Sequence, residues 1–241
     1  MSTQLFGAGG APVAQGLFQE SSLQNQNLGA IAFANDGRVF RYAQAGEALV
    51  AGNLNQCIVE DTGDQNLSVA AAVADATSVV TTSTVTVTAN QYAEGYLVVA
   101  SSTGLGYSYK ISGHAAATAA VVTINLIDPL KVAIAATTTV DLIPNPYDGV
   151  INFPTAATGS VAGVSNFVVT SAYYAWLQVA GVTAVEAQNA LTVGLDVVAS
   201  NDDAGCVETI TDGAHELLPH VGTAVTGCAD AEFGLVHLKI F

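Results

Sequence analysis

The chain has 241 residues and a mass of 24.4 kDa, with 20 acidic residues against 5 basic ones, a formal net charge of -15, and 51% hydrophobic against 10% charged residues. That length suffices for one or two domains with a sizeable core, and a mean hydropathy of +0.45 excludes a largely disordered chain, which needs high net charge together with low hydrophobicity. The basic residues Arg38, Arg41, Lys110, Lys131 and Lys239 are scattered along the whole sequence and offer no phosphate-tracking patch, so neither nucleic acid nor an anionic membrane surface is expected as a direct partner.

Ala, Val and Thr dominate, Gly adds 23 residues, and the usual builders of exposed helices are scarce. Val and Thr are stiff at χ1 and fit a pleated surface, whereas Ala favours helices; most Ala here stand beside Val, Thr or Gly rather than in Glu/Lys-rich frames. The expected class is therefore mainly β, with antiparallel sandwich or barrel-like units, an extended N-terminal arm and few short helices.

Residues 1–35 are Gly- and Ala-rich and then amide-rich, without a sustained apolar period. They read as an arm whose isolated apolar residues Leu5, Phe6, Val13, Leu17 and Phe18 gain order only by lying on another surface. Residues 39–42 read as a short strand, 43–56 as a Gly-punctuated segment, and the acidic, amide-rich 60–66 as a loop. Residues 67–76 fit either a short Ala-rich helix or another strand. The clearest strand is 82–88 (TSTVTVT), whose alternation gives one apolar and one hydroxylated face. Further strands are expected at 96–100, 106–111, 121–126, 131–134 and 138–143, spaced as in an antiparallel sandwich or barrel, until Pro144 and Pro146 stop the series. In the last third, 167–169, 174–179, 194–198 and 236–240 read as strands. The expected organisation is an arm at 1–35, a main β-domain from 36–80 and 153–241, and an inserted β-domain at 81–152.

The uncharged run at 167–185 is long enough on paper to span a bilayer. Polar interruptions, absent basic flanks and many β-branched and aromatic residues favour two buried strands joined by a Gly-containing turn. Alternation along YYAWLQV sets Tyr174, Trp176 and Gln178 on one face and Tyr173, Ala175 and Leu177 on the other. Both faces are largely apolar, which points to burial of Tyr174 and Trp176 in a core or an oligomer seam. The N-terminus lacks the basic and apolar regions of a signal peptide.

Signals for chemistry are weak. His215, Glu216 and His220 miss the spacing of a zinc-protease helix, and Pro219 would break such a helix. Asp202, Asp203 and Glu208, or Asp61 and Asp64, could offer oxygen to calcium but follow no EF-hand ladder and read as solvated turns. Residues 159–163 lack the register of a nucleophile elbow, and no glycine cluster forms a phosphate loop. Cys57, Cys206 and Cys228 read as reduced buried thiols, with a Cys206–Cys228 bridge as the alternative. No catalytic residue, cofactor or metal site is assigned. An acid/base carboxylate pair stays open, because nothing selects two of the many carboxylates.

The opening MSTQLFGAGGAPVAQGLFQ with GRVFRYAQAG, the middle QYAEGYLVVASSTGLGYSYKISGHAAA, the stretch INLIDPLKVAI…VDLIPNPYDGV and the ending YYAWLQVAGVTAV…AEFGLVHLKI together resemble virion structural proteins of tailed bacteriophages, in the style of head decoration (cement) proteins. The resemblance covers nearly the whole chain, in texture and order rather than in a catalytic motif. It implies a non-enzymatic, β-rich protein, trimeric, made in the host cytoplasm, that binds the major capsid protein on the outer surface of the head and clamps neighbouring capsomers. The arm residues are then the expected capsid contacts. A head fibre that binds host carbohydrate, with Tyr107, Tyr109 and Tyr147 exposed together on the inserted unit, is the main alternative. A major capsid protein or a hydrolase of cell-surface polymers stands further off.

Overall fold

A computed structural model of the chain describes residues 3–59, 62–211, 213 and 217–240. Among these the named elements are nineteen strands, and no α-helix occurs, so the chain is all-β with barrel-like sheets. It divides into two compact units, one from residues 1–59 with 146–241 and the other from 60–145. The first unit holds β1 (Leu5–Gly7), β2 (Ile31–Ala34), β3 (Val39–Ala45) and β4 (Leu54–Gln56). It also holds β13 (Asp148–Asn152), β14 (Val161–Ser165), β15 (Tyr174–Glu186), β16 (Asp196–Ala199), β17 (Val207–Thr209), β18 (His220–Ala224) and β19 (Phe233–Lys239). The second holds β5 (Leu67–Ser68), β6 (Ser78–Thr82), β7 (Thr86–Val87), β8 (Tyr96–Val99), β9 (Ser108–His114), β10 (Ala117–Thr118), β11 (Val121–Leu126) and β12 (Thr139–Ile143).

In the first unit β3, β13, β4, β14 and β15 pair in turn, and β15 pairs back onto β3, closing a five-stranded ring. A ring of so few strands is narrow and admits only small inward side chains. Its buried cluster is accordingly Ala43 and Ala45 of β3, Val150 of β13, Ala162 of β14, and Ala175 and Leu177 of β15, with Leu49, Cys57 and Val169. This is where the Ala excess of the sequence is used.

β15 runs thirteen residues straight through Gly181, rather than turning there as two strands. Gly181 sits at φ +85°, and a Cβ on it would come within 2.9 Å of Arg38 Cγ, so only glycine fits there; just before it the pairing with β3 bulges between Gln178 and Ala180. The buried Gln178 amide holds the irregular stretch from there through Gly181, donating to the carbonyls of Ala180 (3.2 Å) and Val182 (3.1 Å). The first half of β15 pairs with β3 and its second half with β19, from which β18, β16 and β17 continue the sheet. Residues 167–169, expected as a strand, contribute only a bridge from Val169 to Leu49.

The N-terminal segment is not a free arm. β1 pairs with β2 and β2 with β3, so residues 5–34 extend the sheet of the chain's own body. Leu5 and Leu17 are 1% and 3% exposed and pack with Phe40, Tyr42 and Trp176. Gln15 ties the segment down: its Nε2 donates to the carbonyls of Gln19 and Tyr174, both at 2.8 Å. Its Oε1 accepts from Tyr42 Oη at 2.8 Å and from Asn25 Nδ2 at 3.1 Å. The Gln15 carbonyl in turn accepts the Trp176 indole N–H at 3.1 Å. Every hydrogen-bonding position of that buried amide is filled. The surface that the sparse apolar residues need is therefore intramolecular.

In the second unit the six-stranded sheet runs β5, β12, β8, β9, β11, β6, and a bridge from Val69 to Thr81 joins its two ends into a closed barrel. Residues 67–76 thus supply strand and bridges rather than a helix. The alternation eBeBeB along β11 turns Val122, Ile124 and Leu126 into a core shared with Leu97, Val99, Ile111, Val140 and Leu142. The TSTVTVT run is broken: β6 ends at Thr82, and the Ser83 hydroxyl donates to Asp64 Oδ1 (2.7 Å) while accepting the Val85 N–H (3.2 Å), which bends the chain. Residues 131–134 give only the bridge of Ile134 to Ala72.

The unit boundaries also differ from the expected 81–152. Residues 67–69 are needed to close the second ring, and 146–152 carry β13, which completes the first. Replacing Gln15 with Ala strands the Tyr42 hydroxyl, the Asn25 amide and two carbonyls, and is expected to cost about 3 kcal/mol. A urea titration followed by Trp176 fluorescence, with a lower midpoint and an unchanged slope, checks it.

Candidate functional site

The residues singled out on the sequence are divided by the fold. Leu5 and Leu17 are core, Phe6 and Val13 are half-buried, and Phe18 is 65% exposed. The buried pair is therefore excluded as a contact for another protein. Tyr174 is half-buried and stacks on Tyr42 with centroids 5.9 Å apart, and Trp176 meets Tyr42 edge-on at 4.9 Å. Trp176 is thus an internal core residue of this chain and not an oligomer seam.

Phe18 packs edge-on against Phe167 at 6.3 Å, and Glu20 holds the neighbouring stretch by accepting from the Thr170 N–H (2.6 Å) and hydroxyl (2.9 Å). Leu23 is 73% exposed, held in a short turn by the Ser21 hydroxyl, which accepts the Leu23 N–H. The N-terminal segment is thus two-sided: Leu5, Gln15 and Leu17 face the barrel while Phe18 and Leu23 face solvent. Beside Phe18 opens a cleft of about 430 Å³ lined by Arg38, Gly52, Asn166, Val182 and Phe233.

In the second unit Asp64, Ser83, Tyr92 and His114 form a buried polar cluster of residue types that catalysis uses. Asp64 accepts from Ser83 Oγ and from Tyr92 Oη, both at 2.7 Å. His114 Nε2 accepts the Tyr92 backbone N–H at 3.0 Å, and Nδ1 lies 2.9 Å from the Ala115 carbonyl, which assigns the proton to Nδ1. The serine proton already points at the carboxylate, and the imidazole's basic nitrogen is occupied by backbone. The cluster lacks the serine-to-histidine link that nucleophile activation needs, so it fastens loops and the barrel wall.

Among the described residues no group of three His, Cys, Asp or Glu side chains is placed to hold a metal ion. Glu208 is buried and accepts the Asn201 N–H, and the Asp202 and Asp203 N–H groups cap Ser200 Oγ. His215, Glu216, Asp61 and the start of the acidic loop at Glu60 lie outside the described residues. Among those described, no helix is long and apolar enough to cross a membrane.

The proposed tyrosine platform is not assembled. Tyr107 and Tyr109 stack with centroids 6.2 Å apart, but Tyr109 is buried, and Tyr147 belongs to the other unit, where it lies under the Arg41 guanidinium.

Sequence reasoning missed the outer face of β15 and β19. Val182, Phe233 and Leu235 are exposed there, opposite a buried face carrying Val185, Val236 and Leu238. His237 and Lys239 mark that phase as the outward one, but Phe233 and Leu235 share it, so alternation alone does not reveal an exposed apolar patch there.

Known protein families, characterised proteins and solved structures were compared with the chain, and none matches it.

All three cysteines are free thiols, which replaces the alternative of a Cys206–Cys228 bridge. Burial pushes the Cys57 thiol up, and burial with the nearby charge of Glu186 pushes Cys206 up to about 11. Since the thiolate is the reactive form, both should resist alkylation at pH 8, while the half-buried Cys228 reacts. A thiol titration of the native protein is expected to count one fast-reacting group, and the same titration in denaturant three.

Proposed function

We propose that this chain is a non-enzymatic structural protein of a phage virion, which binds the major capsid protein on the outer face of the head and clamps neighbouring capsomers as a cement. The observation that carries the reading is the two-sided N-terminal segment: Gln15 and Leu17 fix it to the barrel, and Phe18 and Leu23 project from it as large exposed apolar side chains. Anchors on a pre-ordered support bind another protein without the cost of ordering a loose tail. The capsid contact accordingly moves from the whole arm, with its buried Leu5 and Leu17, to these outward residues.

The net charge of -15 suits a basic capsid rim and keeps free copies soluble. Repetition over the head lattice, with three copies around each three-fold position, makes modest single-site affinity persistent. The resemblance to decoration proteins in texture and order adds to this reading.

The test is cosedimentation with heads stripped of their decoration, using the full chain and a Phe18→Glu/Leu23→Glu variant across a salt series. Saturable binding that restores resistance to heat, weakened about tenfold or more in the variant, is the expected result. Absence of binding by the full chain, or equal binding by the variant, contradicts it.

A further inference from the structure

The outer face of β15 and β19 is an unpartnered sheet surface. Along β19 the residues Phe233, Leu235, His237 and Lys239 all point outward and alternate with buried ones. Beside them on β15 the registers Glu186↔Phe233, Ala184↔Leu235, Val182↔His237 and Ala180↔Lys239 set Glu186, Ala184 and Val182 on the same face. Val225 joins the apolar middle, its N–H bonded to the Leu235 carbonyl.

The charges on this face are polarised. Glu186 stands at one end and Lys239 at the other, about 20 Å apart along the strands. Among the described residues the Lys239 ammonium bonds the Thr223 hydroxyl, and neither Glu186 nor Lys239 has an ion-pair partner. Glu232 and Asp230 are exposed near the Glu186 end; His237 lies toward the Lys239 end, as does Arg38, paired to Asp36 at 2.8 Å.

We propose that this face is the contact between two copies of the chain, packed sheet on sheet about a two-fold axis that crosses the strands. Charge selects that axis. A two-fold along the strands would set Glu186 against Glu186, whereas one across them brings Glu186 of each copy over Lys239 of the other, one strand spacing aside and within reach of both side chains. The same operation lays Ala184 over Val182 in an apolar centre, where the Phe233 ring of each copy leans across β15 onto Gly52, flanked by two opposite-charge pairs. The contact pairs copies and is distinct from any three-fold grouping on a head. Phe18 borders the cleft that Val182 and Phe233 line, and the test below uses the free chain alone, so its outcome is read without the capsid.

Sedimentation equilibrium of the full chain at low salt tests it. The wild type is expected to form dimers, Leu235→Glu to weaken them about tenfold or more, and Lys239→Glu to weaken them by a similar factor. The double variant Lys239→Glu/Glu186→Lys restores the charge pairs in reverse and is expected to recover most of the lost association. A wild type that stays monomeric at every concentration overturns the proposal. So does association that Leu235→Glu leaves unchanged, or a double variant no better than the single one.

Discussion

A β-strand has two faces, and in the first half of β15 both are buried in protein. Ala175 and Leu177 fill the interior of the five-stranded ring, while Trp176 projects the other way. A tryptophan on the outside of a barrel needs an apolar cover and an acceptor for its indole N–H. Residues 5–34 supply both: Leu5 and Leu17 pack beside the ring, and the Gln15 carbonyl takes the proton. The N-terminal segment is thus a structural layer of the first unit, and its outward residues Phe18 and Leu23 stand in the turns of that layer.

The narrowness of the ring has a second consequence. With Ala at most inward positions, the ring itself buries little apolar area, so stability must come from layers outside it. Those layers are the cluster around Tyr42 and Trp176 on one side and the core beneath β15, β16, β18 and β19 on the other, with Val185, Val197, Val221 and Val236. Composition that looks ambiguous between helix and strand when read residue by residue is explained by this geometry.

Much of the fold was legible in the sequence where alternation is strong. Residues 121–126 and 139–143 form strands as their Val/Thr patterns indicate, and the two faces of YYAWLQV separate into two clusters as alternation requires. Errors arose where long-range contacts outvote local pattern. TSTVTVT is an unbroken local signal, yet Ser83 turns the chain because Asp64, distant in sequence, binds its hydroxyl. The segment at 1–35 lacks periodicity because its order comes from Gln15 and Trp176, a pair no local window contains. Along β19 the alternation at 236–240 shows which side faces outward, but it does not show that Phe233 and Leu235 stay uncovered there, because that depends on what the fold lays over them.

The two outward surfaces, at Phe18 with Leu23 and along β15 with β19, are offered by a body whose first and last strands lie in one sheet. That arrangement depends on the N-terminal layer staying closed. Hydrogen exchange followed by mass spectrometry on peptides covering residues 5–34 measures this directly. Protection of the Val13, Ser21 and Gly29 amides, which donate to the Leu5, Tyr174 and Tyr42 carbonyls, at a level comparable to β15 is the predicted result. Exchange at the rate of an unstructured peptide, with β15 still protected, would contradict it and return the segment to a free arm.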